Sequence, residues 1–351
     1  MNQSSATRYA EAGVDIEKKY AAVDAAAAAI RKSFTPGGIG DVGAVGGLFD
    51  PARVGCGGEI LVASADGVGT KLEVAKRAGV YHTIGRDIVH HCINDILVQG
   101  AKPLFFMDYV AVGKMEPKVV GDIIRGCAEA CTENGFALLG GETAEMPGLY
   151  APGDFDLAGF IVGSVKREKL LDGSRVKPGQ TLIALEASGL HTNGYSLARK
   201  VLFDELKLSI TDRPRELGGV TVGEALLAVH RPYLKPIWPL LQADRIAALA
   251  HITGGGLVDN VPRVLNGCDA WIDRTRWEAP ALFRYLCEHG RVSREEAYHV
   301  FNMGVGMVLF VAAEDATAVQ EHLRAAGERP HVIGRTEPAR ASEGAVRWLD
   351  S

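Results

Sequence analysis

An apolar run, a glycine turn and a helical pattern follow one another over residues 60–75, and this succession constrains the fold more than any other feature of the chain. Ile60 to Ser64 reads as a short buried strand. Asp66-Gly67-Val68-Gly69-Thr70-Lys71 is the turn, and Leu72, Val74 and Ala75 begin an apolar helix face. Such a junction leaves backbone N–H groups unpaired at the helix start, where the dipole favours an anion. Asp66 stands at the strand end, the usual place for a ligand-facing carboxylate in an open α/β sheet, and Lys71 adds a positive charge.

The succession recurs. A strand over Thr181 to Leu185 leads into Ser188-Gly189-Leu190-His191-Thr192-Asn193-Gly194, and then into a helix carrying Leu197, Val201 and Leu202. His251-Ile252-Thr253-Gly254-Gly255-Gly256 repeats it before a helix around Leu257 to Leu265. Similar devices in both halves predict two α/β domains with a cleft between them. The polar stretch Lys166 to Gln180, with Pro178-Gly179, reads as the linker, giving domains at 1–168 and 176–351.

The 351 residues suffice for two well-buried cores. With 47% hydrophobic and 23% charged residues the chain has the composition of a soluble globular protein. A net charge of −5 leaves no basic excess to hold a nucleic-acid backbone. No apolar run reaches the ~18 residues of a membrane span, and the polar start, Met1 to Arg8, lacks a signal core. The six cysteines form no C-x-x-C pair and read as reduced structural thiols, which places the protein in the cytoplasm.

Residues 14–33 read as a helix with Asp15 as N-cap and Lys18 and Lys19 as solvated lysines. Gly38, Gly40 and Gly43 form a G-x-G-x-x-G, but no strand precedes it and no helix follows; a loop covering a ligand fits better than a dinucleotide fingerprint. A helix from about Gly85 to Gln99 carries Asp87, His91 and Asp95 on one stripe. Asn94 and Asp95 interrupt its apolar face, and a carboxylate there is expensive unless a cation or donors meet it. Asp66 and Asp95, with the anion-binding turn, suggest a site for Mg²⁺ and a polyphosphate. Asp87 and Asp108 read equally well as hydrogen-bonded structural carboxylates. Pro117 opens an amphipathic helix that Asn134-Gly135 ends. A strand over Phe136 to Leu139 follows, with Gly140-Gly141 letting the backbone approach a ligand and Glu142 at the strand end.

In the second half Thr192 or Asn193 can cap a helix whose N-terminus would hold a substrate phosphate. His191 is the best placed histidine for acid–base work or charge stabilisation. Thr253 to Gly256 reads as a loop that admits a ligand to its backbone. Asn302, before the strand Val305 to Val311, is a candidate for reading substrate amides.

These stretches, with Gly140 to Gly148, Ser188 to Ser196, Thr253 to Gly256 and Phe301-Asn302-Met303-Gly304, closely resemble the phosphoribosylformylglycinamidine cyclo-ligase family, the aminoimidazole ribonucleotide synthetases. The resemblance extends over nearly the whole chain, from Tyr9 to Met307. It implies an N-terminal ATP-binding domain and a C-terminal substrate domain with mixed sheets. The implied reaction is ATP-dependent closure of formylglycinamidine ribonucleotide to aminoimidazole ribonucleotide, with ADP and phosphate released, in purine biosynthesis. Asp66, Asp95 and Glu142 would then hold Mg²⁺. Gly67, Val68, Gly69, Thr70, Lys71, Asn94, Gly140, Gly141, Glu142 and Thr143 would bind ATP. His191, Thr192, Asn193, Gly194, Ser196, Thr253, Gly254, Gly255, Gly256 and Asn302 would bind the ribonucleotide, and His191, Lys71 and Asp95 would be catalytic. A homodimer joined through the N-terminal sheets is implied as well. The family usually has a small residue at His90 and an apolar one at His91, so both read as packing or solvent-facing departures. Another ATP-dependent kinase or synthetase of the same superfamily stays open as an alternative, as does a non-catalytic nucleotide-binding protein.

Overall fold

The computed structural model describes residues 7–12, 28, 31, 32, 35–39 and 47–350. Asp15, Lys18, Lys19, Gly40 and Gly43 lie outside these residues. Two six-stranded mixed sheets organise the chain. The first takes β1 (Gly38–Ile39), β2 (Gly47–Phe49), β3 (Ile60–Gly67), β4 (Lys102–Val112), β5 (Ala137–Glu145) and β6 (Phe155–Val165) in the order β1-β2-β3-β6-β4-β5. The second takes β7 (Thr181–Glu186), β8 (Ala248–His251), β9 (Cys268–Ile272), β10 (Val305–Val311), β11 (Pro330–Pro338) and β12 (Val346–Trp348) in the order β12-β9-β11-β7-β10-β8. Among the described strands β4–β5 and β12–β9 are the parallel pairs, and the other pairs are antiparallel.

One face of the first sheet carries the helices His82–Leu97 and Pro117–Asn134. The sequence reason is alternation: Leu157, Gly159, Ile161, Gly163 and Val165 point inward along β6. A Cβ on Gly159 would collide with Phe106 and Ile88, so the helix lies directly on the strand there. The two helices also touch at backbone level, since a Cβ on Gly85 or Gly126 would strike the carbonyl of Ile123 or His82. Among the described residues no helix covers the opposite face. Met107 and Phe160 are cross-strand partners there and stand 41% and 46% exposed.

The helix Pro117–Asn134 ends at Gly135 in the left-handed region, as its sequence predicts. β5 departs from expectation. It runs on to Glu145, so Gly140, Gly141 and Glu142 lie inside a strand and not in a turn beyond it. Gly141 pairs with Asp108, and a Cβ there would collide with the Asp108 side chain. Close packing against Asp108 explains that glycine. In the second sheet β10 is buried at every position, so both of its faces are covered. All six cysteines are free thiols; Cys92, Cys127, Cys131 and Cys268 are buried. Among the described residues no helix is long and apolar enough to cross a membrane.

Candidate active site

The first two glycine turns face each other across the junction of the two sheets. Thr70 Oγ1 lies 3.1 Å from Ser196 Oγ. A Cβ on Gly69, whose φ is +68°, would stand 3.9 Å from the Thr192 carbonyl. Gly67 N–H already donates to Asp66 Oδ1 at 2.7 Å, and Val68 N–H to the Leu157 carbonyl at 3.2 Å. Those two amides are therefore occupied, which narrows the expected phosphate cradle to Gly69 and Thr70.

Lys71 departs from its expected role. Its side chain is fully buried, with Nζ 2.7 Å from Asp87 Oδ2 and donating to the carbonyls of His191 and Ala228. Burial pushes the ammonium down and the Asp87 carboxyl up, each opposed by the partner's charge. Asp87 Oδ1 also accepts the His230 N–H at 2.7 Å. The pair therefore bolts the first half of the chain to the loops that carry His191 and His230. Asn94 does the same and faces no open site. Its Oδ1 accepts Tyr233 N–H at 3.0 Å, and its Nδ2 donates to the Arg231 carbonyl at 2.9 Å.

Asp95 lies between two imidazoles. His251 Nδ1 is 2.8 Å from its Oδ1, His91 Nε2 is 3.5 Å from its Oδ2, and Ser64 Oγ donates to Oδ2 at 3.0 Å. His91 Nε2 also meets Asp66 Oδ2 at 2.8 Å, and His91 Nδ1 meets Thr192 Oγ1 at 2.7 Å. His91 is thus neither packing filler nor solvent-facing: it joins the two acids. Burial alone would lower its pKa, but Asp66 and then Asp95 outweigh that and raise it to about 9. His90 does serve packing. It is buried, lies 2.6 Å from the His230 carbonyl through Nδ1, and burial lowers it to about 4.

His191 has a left-handed backbone, φ +59°, and is fully buried. Its Nε2 accepts the Ser188 N–H at 3.2 Å, which leaves the proton on Nδ1, where it has no partner among the described residues. It stacks on His230 with ring centroids 3.9 Å apart. Burial, followed by neighbouring positive groups, drives both imidazoles well below the usual histidine range, so both are neutral.

The remaining expected residues divide. Asn193 Oδ1 would meet a Cβ on Gly254 at 3.2 Å, and Asn193 Nδ2 is buried without a partner among the described residues. These two turns therefore converge and keep a donor in hand. Gly194 packs under Phe301, and a Cβ on Gly256 would collide with the Tyr298 carbonyl, so packing explains those glycines. Thr253 Oγ1 and the carbonyls of Thr253, Gly254 and Gly256 are all held by Asn260. Asn302 braces the substrate turn from behind. Its Nδ2 donates to the Gly189 carbonyl, and its Oδ1 accepts Gly304 N–H. Glu142 accepts its neighbour Thr143's N–H, on a strand three places from β3. At about 4.8 Å per strand this is roughly 14 Å away, so Glu142 does not join Asp66 and Asp95. His230, Arg231 and Tyr233 were not singled out from the sequence. A lone histidine two residues before a proline, at the end of an apolar stretch, gives little signal.

Asp66 and Asp95 suit a hard dication held by two carboxylates and substrate phosphates, the usual Mg²⁺ arrangement. Asp66 is 44% exposed and opens the site to solvent.

Over residues 40–165 the chain matches the family described as AIR synthase related protein, N-terminal domain, and over 177–347 its C-terminal counterpart. A phosphoribosylformylglycinamidine cyclo-ligase of Trichlorobacter lovleyi is 46% identical over 338 residues, 96% of either chain. One of Lactobacillus delbrueckii subsp. bulgaricus is 44% identical over 328 residues, 93% of this chain and 94% of its own. Among solved structures, a thiamine-monophosphate kinase from Stenotrophomonas maltophilia matches with a TM-score of 0.62 at 18% identity, over 90% of this chain and 93% of that one. The hydrogenase maturation protein HypE in complex with ATP matches with a TM-score of 0.58 at 16% identity, over 82% of each. These two likenesses speak for the fold alone.

Proposed function

The chain belongs to the phosphoribosylformylglycinamidine cyclo-ligase family, and on that premise we propose that it closes formylglycinamidine ribonucleotide to aminoimidazole ribonucleotide in the cytoplasm, with ATP converted to ADP and phosphate. The observation that carries this reading is the 44–46% identity to relatives of that name over 93–96% of the chain. The solved HypE complex shows that a protein of this fold holds ATP.

The chemical problem is the substrate amide, whose oxygen leaves poorly. ATP supplies the phosphoryl group that turns this oxygen into phosphate, and Mg²⁺ offsets the charge of the triphosphate. A nitrogen of the same substrate then attacks the amide carbon. Because the attack is intramolecular, the protein chiefly orients the chain and stabilises charge. Asp66 and Asp95 would hold the Mg²⁺. Gly69 and Thr70 would border the triphosphate, and Thr70 meets Ser196 at the junction. Neutral His191 offers an Nδ1–H without an acceptor, which suits it to developing negative charge better than to proton abstraction. Asn193 Nδ2 is a second such donor. Purified protein given Mg²⁺ and ATP should release ADP only when formylglycinamidine ribonucleotide is added, one ADP for each ring closed. ADP release driven instead by thiamine monophosphate, or none with either, would overturn the reading.

The protein pairs with a second copy through the open face of its first sheet, where Met107 and Phe160 are exposed neighbours. Phe160→Asp should therefore give a monomer by light scattering where the parent protein is a dimer. A dimer that survives both Phe160→Asp and Met107→Asp would move the interface elsewhere.

A further inference from the structure

The cation site proposed above contains more than oxygen. His91, Asp95 and His251 each offer a ligand atom, all within 4.8 Å of one another and all buried. Asp66 stands 2.8 Å from His91 Nε2 as a fourth donor. Asp95 is the centre, with Oδ1 2.8 Å from His251 Nδ1 and Oδ2 3.5 Å from His91 Nε2. Two ligands about 2.1 Å from one ion are about 3.0 Å apart in an octahedral and about 3.4 Å apart in a tetrahedral arrangement. The observed spacings bracket both.

The outer nitrogens are furnished as metal-bound histidines usually are. His91 Nδ1 meets Thr192 Oγ1 at 2.7 Å, so an N–H there frees Nε2 to ligate once an incoming dication displaces the proton it shares with the acids. His251 Nε2 lies 3.2 Å from His230 Nε2. An N–H on His251 Nε2, donated to His230, leaves its Nδ1 lone pair facing Asp95. Asn94 Nδ2, 3.1 Å from His230 Nε2, favours the same assignment because it too makes that nitrogen an acceptor. With that proton displaced, both inward lone pairs face carboxylate oxygens, an arrangement that a cation between them stabilises. The three rings His91, His230 and His251 sit with centroids 5.2 Å apart in each pair, which is a built cluster and no chance contact.

We propose that His91, His251, Asp95 and Asp66 form a mixed nitrogen–oxygen site that binds a first-row transition dication, of the Mn²⁺, Co²⁺ or Zn²⁺ class, more tightly than Mg²⁺ and without nucleotide. Imidazole suits these ions, whereas Mg²⁺ takes oxygen. The exposed Asp66 provides the entry path. The inference rests on the proposed function only in treating Asp66 and Asp95 as the cation-facing acids.

The test is Co²⁺ titration of the full, tag-free, chelator-treated chain in the absence of nucleotide. Visible d–d bands should grow to a one-to-one end point, survive millimolar Mg²⁺ and vanish on adding Zn²⁺. His91→Met should weaken Co²⁺ by at least ~10-fold, while His90→Ala should leave it unchanged. Should His91→Met fold poorly, X-ray absorption at the cobalt edge of the parent protein should show imidazole scattering from two ligands. An oxygen-only shell, no d–d bands, or equal Co²⁺ affinity in folded His91→Met would overturn the proposal. Binding without ribonucleotide-dependent ADP release would sink the ligase reading alone; the converse would sink this inference alone.

Discussion

Asp95→Ala is expected to lower ribonucleotide-dependent ADP release by at least ~10²-fold, the scale of removing one charge-stabilising group. The structure sharpens the reason. Asp95 is buried, both His91 and His251 flank it, and Ser64 fixes its orientation. The alanine variant also leaves the half-buried Ser64 Oγ without its acceptor, at about 1–3 kcal/mol. Asp95→Asn separates the two effects. It keeps the volume and an acceptor for Ser64 but removes the charge. Its urea midpoint should lie near that of the parent, while its turnover falls with that of the alanine variant. Near-normal turnover in a well-folded Asp95→Asn protein would take Asp95 out of the chemistry.

What the sequence made legible is whatever its own periodicity enforces. The Ile60 strand, the glycine turn and the helices behind it follow from local pattern, as do the Pro117 start and Gly135 stop of the long helix. Asp95 stood out because a lone charge on an apolar helix face needs a partner. Lys71 misled for a related reason. A lysine after a glycine turn reads as a phosphate ligand, and only tertiary contact shows Asp87 and two distant carbonyls receiving it. Glu142 misled because Gly140-Gly141 looks like a turn, whereas both glycines continue β5, Gly141 packing against Asp108. His91 was underestimated because its partners, Asp66 and Thr192, come from another strand and the other half of the chain. No spacing rule encodes such a meeting.

The Lys71–Asp87 pair gives the second large effect. Both side chains are fully buried and lie 2.7 Å apart, so Asp87→Ala leaves an ammonium with no counter-charge and no water. The expected loss is about 3–5 kcal/mol of unfolding free energy, read from urea melts. Lys71→Met combined with Asp87→Leu removes both desolvation penalties at once and should recover most of this. Recovery stays incomplete because the His230 N–H loses its acceptor, at about 1–3 kcal/mol. Turnover should not recover in parallel. Lys71 also holds the His191 and Ala228 carbonyls, and a shift of about 1 Å in those loops costs up to ~10²-fold in rate. A stable double variant with low turnover would make the pair a positioning device for the His191 and His230 loops. A double variant as unstable as Asp87→Ala would mean that the pair's attraction, and not the stranded charge, dominates the single-variant loss. Full turnover in the stable double variant would leave the bolt with no part in catalysis.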